Sequence, residues 1–417
     1  MKKINFLILF LFSTMLLIGK SFSSTESDEF IKLKETHNII CKNVTLSNLE
    51  EIGNNWKLQK KSKYLQLFTN KIEQKTLQIR PLYRANQIQK IIFTFYKVPK
   101  RPILEIRSNK NCNIQSIRKI IYNKNFIPQE IHSINISDYK IDNTKLLNPE
   151  LPKLKSNNNK NIIALIDTGI NYSLKTLHKN IAVKDRQILG FDFWDNDNKP
   201  FDSDPRQNPF YPRHHGTTVF SILAHDAPNS PIAPYRFPAL DMCKFKELVE
   251  HIVENSIRVV NLSMGSKKLQ DWECFEKVAS KYKDVIFVVS AGNNGFNIDE
   301  NPIYPASLNL KNILAVTSSD KSGRLGRGSN YGQNSVDFIL PAERLQVFDH
   351  RGVKAFTGGT SYAAPRLTAL ISRYIEKNPN CTNDEIYDFL KKRAIQKGKK
   401  ITKYGWIPDP LDNYLIN

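Results

Sequence analysis

Ile162-Ile163-Ala164-Leu165-Ile166 runs without a polar interruption into Asp167-Thr168-Gly169. A short, continuous, β-branched-rich apolar run suits a strand buried on both faces of a parallel sheet, not one alternating between core and water. The same texture returns at Arg258-Val259-Val260-Asn261-Leu262 and at Val285-Ile286-Phe287-Val288-Val289. Between these runs, Met242 to Asn255 and Asp271 to Lys283 carry apolar residues three and four apart, the spacing of a helix with one buried stripe. Strands alternating with helices predict an α/β domain, a doubly wound and mostly parallel sheet with helices on both faces. In such sheets the working residues lie just past the carboxyl ends of the strands. Asp167 stands at such a place. Taken singly it reads equally as a helix cap, a metal ligand or the acid that orients a catalytic base.

Three further stretches occupy comparable corners. His214-His215-Gly216-Thr217-Thr218-Val219 places an imidazole at a helix start, where one ring nitrogen can face a nucleophile while the other donates to a carboxylate. Two adjacent histidines also suggest a metal, but no third ligand stands at helical or hairpin spacing. The run from Val285 ends in Ser290-Ala291-Gly292-Asn293, a strand that delivers a side-chain amide to a Gly-flanked turn. An amide so fixed can donate to an oxyanion developing on a carbonyl. Gly358-Gly359-Thr360-Ser361-Tyr362-Ala363-Ala364-Pro365 places Ser361 at or just inside a helix start, where backbone N–H groups favour negative charge. Pro365 falls early enough in that helix to be tolerated. As isolated features these would be a turn Asn and an N-cap Ser.

Read in chain order, Asp167, His215, Asn293 and Ser361 resemble the motifs of the subtilisin-like serine proteases: Asp-Thr-Gly, His-Gly-Thr, Ala-Gly-Asn and Gly-Thr-Ser-x-Ala-x-Pro. Asn261 to Gly265, Tyr304-Pro305-Ala306 and Ser329 to Gly332 match secondary motifs, and the resemblance covers roughly 161–400. It implies a serine endopeptidase hydrolysing protein or peptide substrates, in which Ser361 attacks, His215 carries the proton, and Asp167 orients His215. It implies that Asn293 and the Ser361 backbone N–H hold the oxyanion, and that Ser263, Met264 and Gly265 pair with the substrate backbone. No cofactor is implied for the chemistry. The chain departs from the family in Phe220-Ser221 after Val219, in Leu340-Pro341-Ala342 before the Ser motif, and in a short His-to-Asn interval. None of these removes a catalytic group. The alternative is a binding protein whose protease fold is idle.

The 61 Lys and Arg against 40 Asp and Glu give a net charge of +21, which first suggests a partner of nucleic acid or an anionic surface. Location weakens that reading: residues 1–24 carry +3, residues 25–160 carry +13, and residues 161–417 carry only +5. No nucleic acid is expected, while contact with an anionic surface stays open for residues 25–160. Residues 1–24 read as an export signal. Lys2 and Lys3 precede an apolar run of about 15 residues, short of the roughly 20 that span a membrane, and small residues follow. The expected protein is secreted or periplasmic. Residues 25–150 show short alternating runs, as at Tyr64 to Phe68 and Ile91 to Tyr96, which predict a smaller β-rich or α+β domain. That domain is expected to be propeptide-like, occupying the active-site cleft, or a retained accessory. Residues 151–160 read as a linker, and residues 161–417 as the catalytic domain. Cys41 with Cys112 and Cys243 with Cys274 are plausible disulfides, leaving Cys381 single. The oxygens of Asp192 to Asn198 and of Asp202 and Asp204 suggest either structural calcium or an acidic surface turn.

Overall fold

Ile163–Asp167 forms the first strand, β1, of an eight-stranded sheet. The others are β2 (Phe191–Asp192), β3 (Ile232–Arg236), β4 (Val259–Leu262), β5 (Ile286–Ser290), β6 (Ile313–Ser319), β7 (Phe338–Pro341) and β8 (Gly405–Trp406). They lie side by side in the order β2-β3-β1-β4-β5-β6-β7-β8, and every neighbouring pair is parallel. The order reverses at β1: the chain first builds to one side of it and then returns to build β4 to β7 on the other. Such a reversal opens a crevice at the carboxyl ends of the strands.

This structure is a computed structural model; it describes residues 56–417 except 73, 98–100, 157–160, 238–240, 397, 399 and 417, and before them residues 34–35, 37–38, 41 and 51–52. Residues 1–24, read above as an export signal, lie outside the described residues. Among the described residues no helix is long and apolar enough to cross a membrane.

Parallel strands need long crossovers, and here helices supply them on both faces. Ile163 and Leu165 face one layer with α1 (Gly216–Asp226), α4 (Thr360–Lys377) and α5 (Asn383–Arg393), where Val219, Phe220, Leu367 and Leu390 complete the core. Ala164 and Ile166 face the other, with α2 (Phe245–Glu254) and α3 (Glu273–Lys281), whose Leu248, Ile252 and Phe275 are fully buried. Burial on both faces is what the unbroken apolar runs required. The disulfide Cys243–Cys274 links the segment just before α2 to α3, and Cys381 is a buried free thiol.

By its contacts the chain divides into two units, Met1–Ile120 with His132–Thr144 and Ile121–Ile131 with Lys145–Asn417. The first contains most of a nine-stranded sheet whose strands follow chain order from Glu51 to Leu146. Its first seven strands pair antiparallel, each with the next. Its core is built of cross-strand rows, one of them Phe68, Leu77, Phe95 and Leu104, and a second Ile79, Phe93, Ile106 and Ile117. Stacked apolar side chains on one face are the unit of sheet stability. The Cys41–Cys112 disulfide belongs to this unit.

The acidic segment after β2 is a turn with Asn196 at the surface, but its first carboxylates point inward. Asp192 is fully buried, and Asp192 and Asp195 both accept from Arg236 Nη1, at 2.7 and 2.6 Å, while Arg236 Nε donates to the Ser203 carbonyl. Asp204 is taken by Arg206, and Asp202 by backbone and hydroxyl groups near His215. The positive charge that Asp192, Asp195 and Asp204 meet comes from arginine. Removing one member of a buried ion cluster costs about 3–5 kcal/mol because the remaining charges are left unpaired. Arg236→Met is therefore expected to lower the free energy of unfolding by about that amount in urea titration.

Candidate active site

Asp167 is the last residue of β1 and is 3% exposed. Its carboxylate accepts the N–H of Thr168 at 2.7 Å and Nδ1–H of His215 at 2.8 and 2.9 Å. His215 is the N-cap of α1, so helix α1 starts at the mouth of the crevice with the imidazole half-buried. Gly216 makes the approach possible. A Cβ there would sit 2.1 Å from the Gly169 carbonyl oxygen and 3.1 Å from Asp167 Cβ. Burial opposes a charged His215, but the Asp167 charge and hydrogen bond prevail, with help from Asp202, and raise the imidazole above its ordinary value. An imidazole whose Nδ1–H is held by a carboxylate presents Nε2 as the basic atom.

Ser361 is the second residue of α4, whose N-cap is Gly359. Gly359 has φ +124°, a backbone conformation that side chains strongly disfavour. The cap therefore offers no hydroxyl, and Ser361 is not the capping residue. Tyr362, the next residue, lies with its ring 5.6 Å from that of His215, which brings the first turn of α4 beside the imidazole.

Asn293 follows β5 and is tied to the same turn. Its Oδ1 accepts Thr360 N–H at 3.0 Å, and Gly292 N–H donates to Thr360 Oγ1 at 3.1 Å. With the carbonyl end of the amide occupied, the NH₂ end is the one available to a ligand. Pro365 is the sixth residue of α4, deeper than a first-turn proline, so its missing N–H deprives the Ser361 carbonyl of a helical partner. Ser263 fills the gap, donating its hydroxyl to that carbonyl at 3.0 Å. The strand end at Ser263 is thus fastened to the backbone of Ser361. A larger cavity, of about 520 Å³, is lined by none of these four residues.

A cleft of about 310 Å³ opens beside Ser361 and Asn293. Ser263, Met264 and Gly265 form part of its wall. Ile303 was not singled out in the sequence, yet it lines the same cleft. Its Cγ2 would lie 3.4 Å from a Cβ on Gly265 and 3.7 Å from one on Gly292, so the branched side chain stands between the two glycine walls. Among the described residues, Lys267 is the one charged residue lining the cleft, and no carboxylate does.

Comparison with known proteins gives the family of the chain. The profile of the subtilase family matches residues 158–406, well over half of the chain, and the chain belongs to that family of serine proteases. It is a hydrolase acting on peptide substrates. One relative is the epidermin leader peptide-processing serine protease EpiP of Staphylococcus epidermidis, 24% identical over 79% of this chain and 88% of the relative. Another is the halolysin-like extracellular serine protease Nep of Natrialba magadii, 24% identical over 59% of this chain and 45% of its own length. Subtilisin-like protease 2 of Plasmodium falciparum is 25% identical, and the match spans only 23% of its length. Among solved structures, a lanthipeptide protease superposes with a TM-score of 0.49 at 23% identity, over 59% of this chain and 84% of that one.

Proposed function

We propose that the protein is an exported serine endopeptidase in which Ser361 is the nucleophile, His215 the general base and acid, Asp167 its orienting partner, and Asn293 the oxyanion donor. The observation that carries this reading is the Asp167–His215 hydrogen bond beside a helix start whose second residue is Ser361. In the proposed cycle Ser361 Oγ attacks the peptide carbonyl carbon as its proton passes to His215 Nε2. The resulting oxyanion accepts from Asn293 Nδ2 and the Ser361 N–H. His215 then gives its proton to the leaving amine, the C–N bond breaks, and an acyl-Ser361 ester remains. Water, deprotonated by His215, attacks that ester and restores the hydroxyl. Asp167 stays ionised throughout and steadies the imidazolium. No cofactor takes part in any step. An idle protease fold would have no physical need for the oriented amide and the buried carboxylate behind the imidazole.

The proposal includes export, with residues 1–24 as a signal, and leaves residues 25–150 as a propeptide that covers the cleft or as an accessory domain whose +13 region meets an anionic surface. N-terminal sequencing of the secreted mature protein is expected to begin after the signal. A start near 145–160 selects the propeptide, and a start near residue 25 the accessory domain.

A fluorophosphonate probe is expected to label the purified wild type covalently, and Ser361→Ala to abolish the labelling. Labelling that persists in this variant would remove Ser361 from its role.

The cleft beside Ser361 holds about 310 Å³ and, among the described residues, carries Lys267 without a carboxylate, which supports small uncharged or acidic side chains at the residue whose carbonyl is attacked. Ile303→Gly is expected to raise kcat/KM for peptides with a large apolar side chain there by about 10-fold or more relative to alanine. An unchanged preference in peptide-library cleavage would show that Ile303 does not limit the cleft.

A further inference from the structure

A second carboxylate stands behind the first. Asp202 is fully buried in the segment that leads toward α1, and both of its oxygens are engaged. Oδ1 accepts the Thr168 hydroxyl at 2.6 Å and His215 N–H at 3.1 Å. Oδ2 accepts the Thr217 N–H at 3.0 Å and the Thr217 hydroxyl. Thr168, held in this way, accepts in turn from His215 N–H at 3.1 Å and Gly216 N–H at 2.9 Å. The backbone next to Asp167 and the backbone of His215 are therefore joined through one buried side chain.

Two imidazoles complete the cluster. His350 lies in the turn of the hairpin formed by Leu345–Phe348 and Lys354–Thr357, and its buried Nδ1 faces Asp202 Oδ2 at 3.5 Å. Asn171 Nδ2 donates to the His350 carbonyl at 2.7 Å and anchors that turn. His214 donates Nδ1–H to the Asp202 carbonyl at 2.6 Å, and its ring lies 3.5 Å from that of His350 with the planes 5° apart.

One carboxylate with two imidazoles is a donor set for a divalent metal. The stacking argues against that use. Imidazole lone pairs lie in the ring planes, and one ion cannot sit in two parallel planes 3.5 Å apart. The Asp202 oxygens also already accept from four other donors.

We propose instead that Asp202 and His350 are positioning residues for the reacting pair: Asp202 ties the Thr168 side chain, next to Asp167, to the His215 backbone and lends its charge to His215, and His350 holds Asp202 in place. This rests on the assignment of His215 as general base. The charged and titratable groups around His215 are Asp167 from β1, Asp202 from the preceding segment, its neighbour His214, His350 from the hairpin, and Tyr362 from α4; Lys145 Nζ lies 3.1 Å from His214 Nε2. Burial, then the nearby His350, push His214 down to about 4, so His214 is neutral near pH 7, donating through Nδ1–H to the Asp202 carbonyl and accepting from Lys145 at Nε2. The Asp202 charge acts with that of Asp167 to raise His215 against the effect of burial.

The test uses the full-length protein with Asp202→Asn and His350→Gln, each checked by thermal unfolding. Asp202→Asn is expected to lower kcat about 10-fold or more at unchanged KM. It is also expected to move the acid limb of kcat/KM to lower pH, since a charge that favours the imidazolium has gone. His350→Gln is expected to lower kcat several-fold at unchanged KM. The His215 imidazole is titrated independently by NMR in the Ser361→Ala background, where its midpoint is expected to fall on adding Asp202→Asn whether or not the enzyme turns over. That readout separates failure of the positioning role from failure of the catalytic assignment. A wild-type midpoint and acid limb in Asp202→Asn would overturn the proposal. So would stoichiometric zinc binding by the wild type that His350→Gln abolishes, because the cluster would then be a metal site. Should Asp202→Asn fail to fold, wild-type kcat and pH profile in His350→Gln would overturn it equally.

Discussion

The contact on which the rest of the site depends is the 2.8 Å hydrogen bond from His215 Nδ1 to Asp167. It joins the end of the first strand of the sheet to the start of the first crossover helix, so it closes the crevice that the reversed strand order opens. Its geometry has little slack. Gly216 allows the helix to begin where any side chain would strike the Gly169 carbonyl, and Asp167 is too buried to find water as a substitute partner. The chemical consequence follows from electrostatics. A carboxylate shielded from solvent interacts with an imidazolium more strongly than an exposed one, and here it outweighs the cost of burying that cation.

The nucleophile side is built on the opposite principle, in which backbone groups freed by the local sequence are recaptured across the crevice. Pro365 removes a helical donor and Ser263 replaces it; Gly359 gives the helix a cap without a side chain, and Thr360 N–H is taken up by Asn293. Each exchange fastens the Ser361 turn to another strand end. Residues that look like local irregularities in α4 are therefore what place β4, β5 and α4 in register.

Much of this was readable from the chain. Continuous β-branched runs announced strands buried on both faces, and the short motifs placed Asp167, His215, Asn293 and Ser361 at strand ends and helix starts. What could not be read were contacts between distant residues that leave no periodic trace. Asp202 meets His350, Ile303 approaches Gly265, and Arg236 neutralises Asp192 across 44 positions of sequence. The last case shows the physical reason. An acidic run looks solvated until a buried arginine, itself in an apolar-looking strand, supplies the compensating charge. Pro365 is similar: a helix-early proline looks harmless until its exact turn shows which carbonyl it orphans.

In the proposed mechanism the Ser361 turn, the Asn293 amide and the Asp167-held imidazole act on one carbonyl. A crystal structure of the protein inactivated by a peptidyl fluorophosphonate tests it most directly. Phosphorus is expected to be bonded to Ser361 Oγ, with a phosphonyl oxygen accepting from Asn293 Nδ2 and Ser361 N–H and His215 Nε2 facing the adduct. An adduct on another residue, or a phosphonyl oxygen turned away from Asn293, would contradict it.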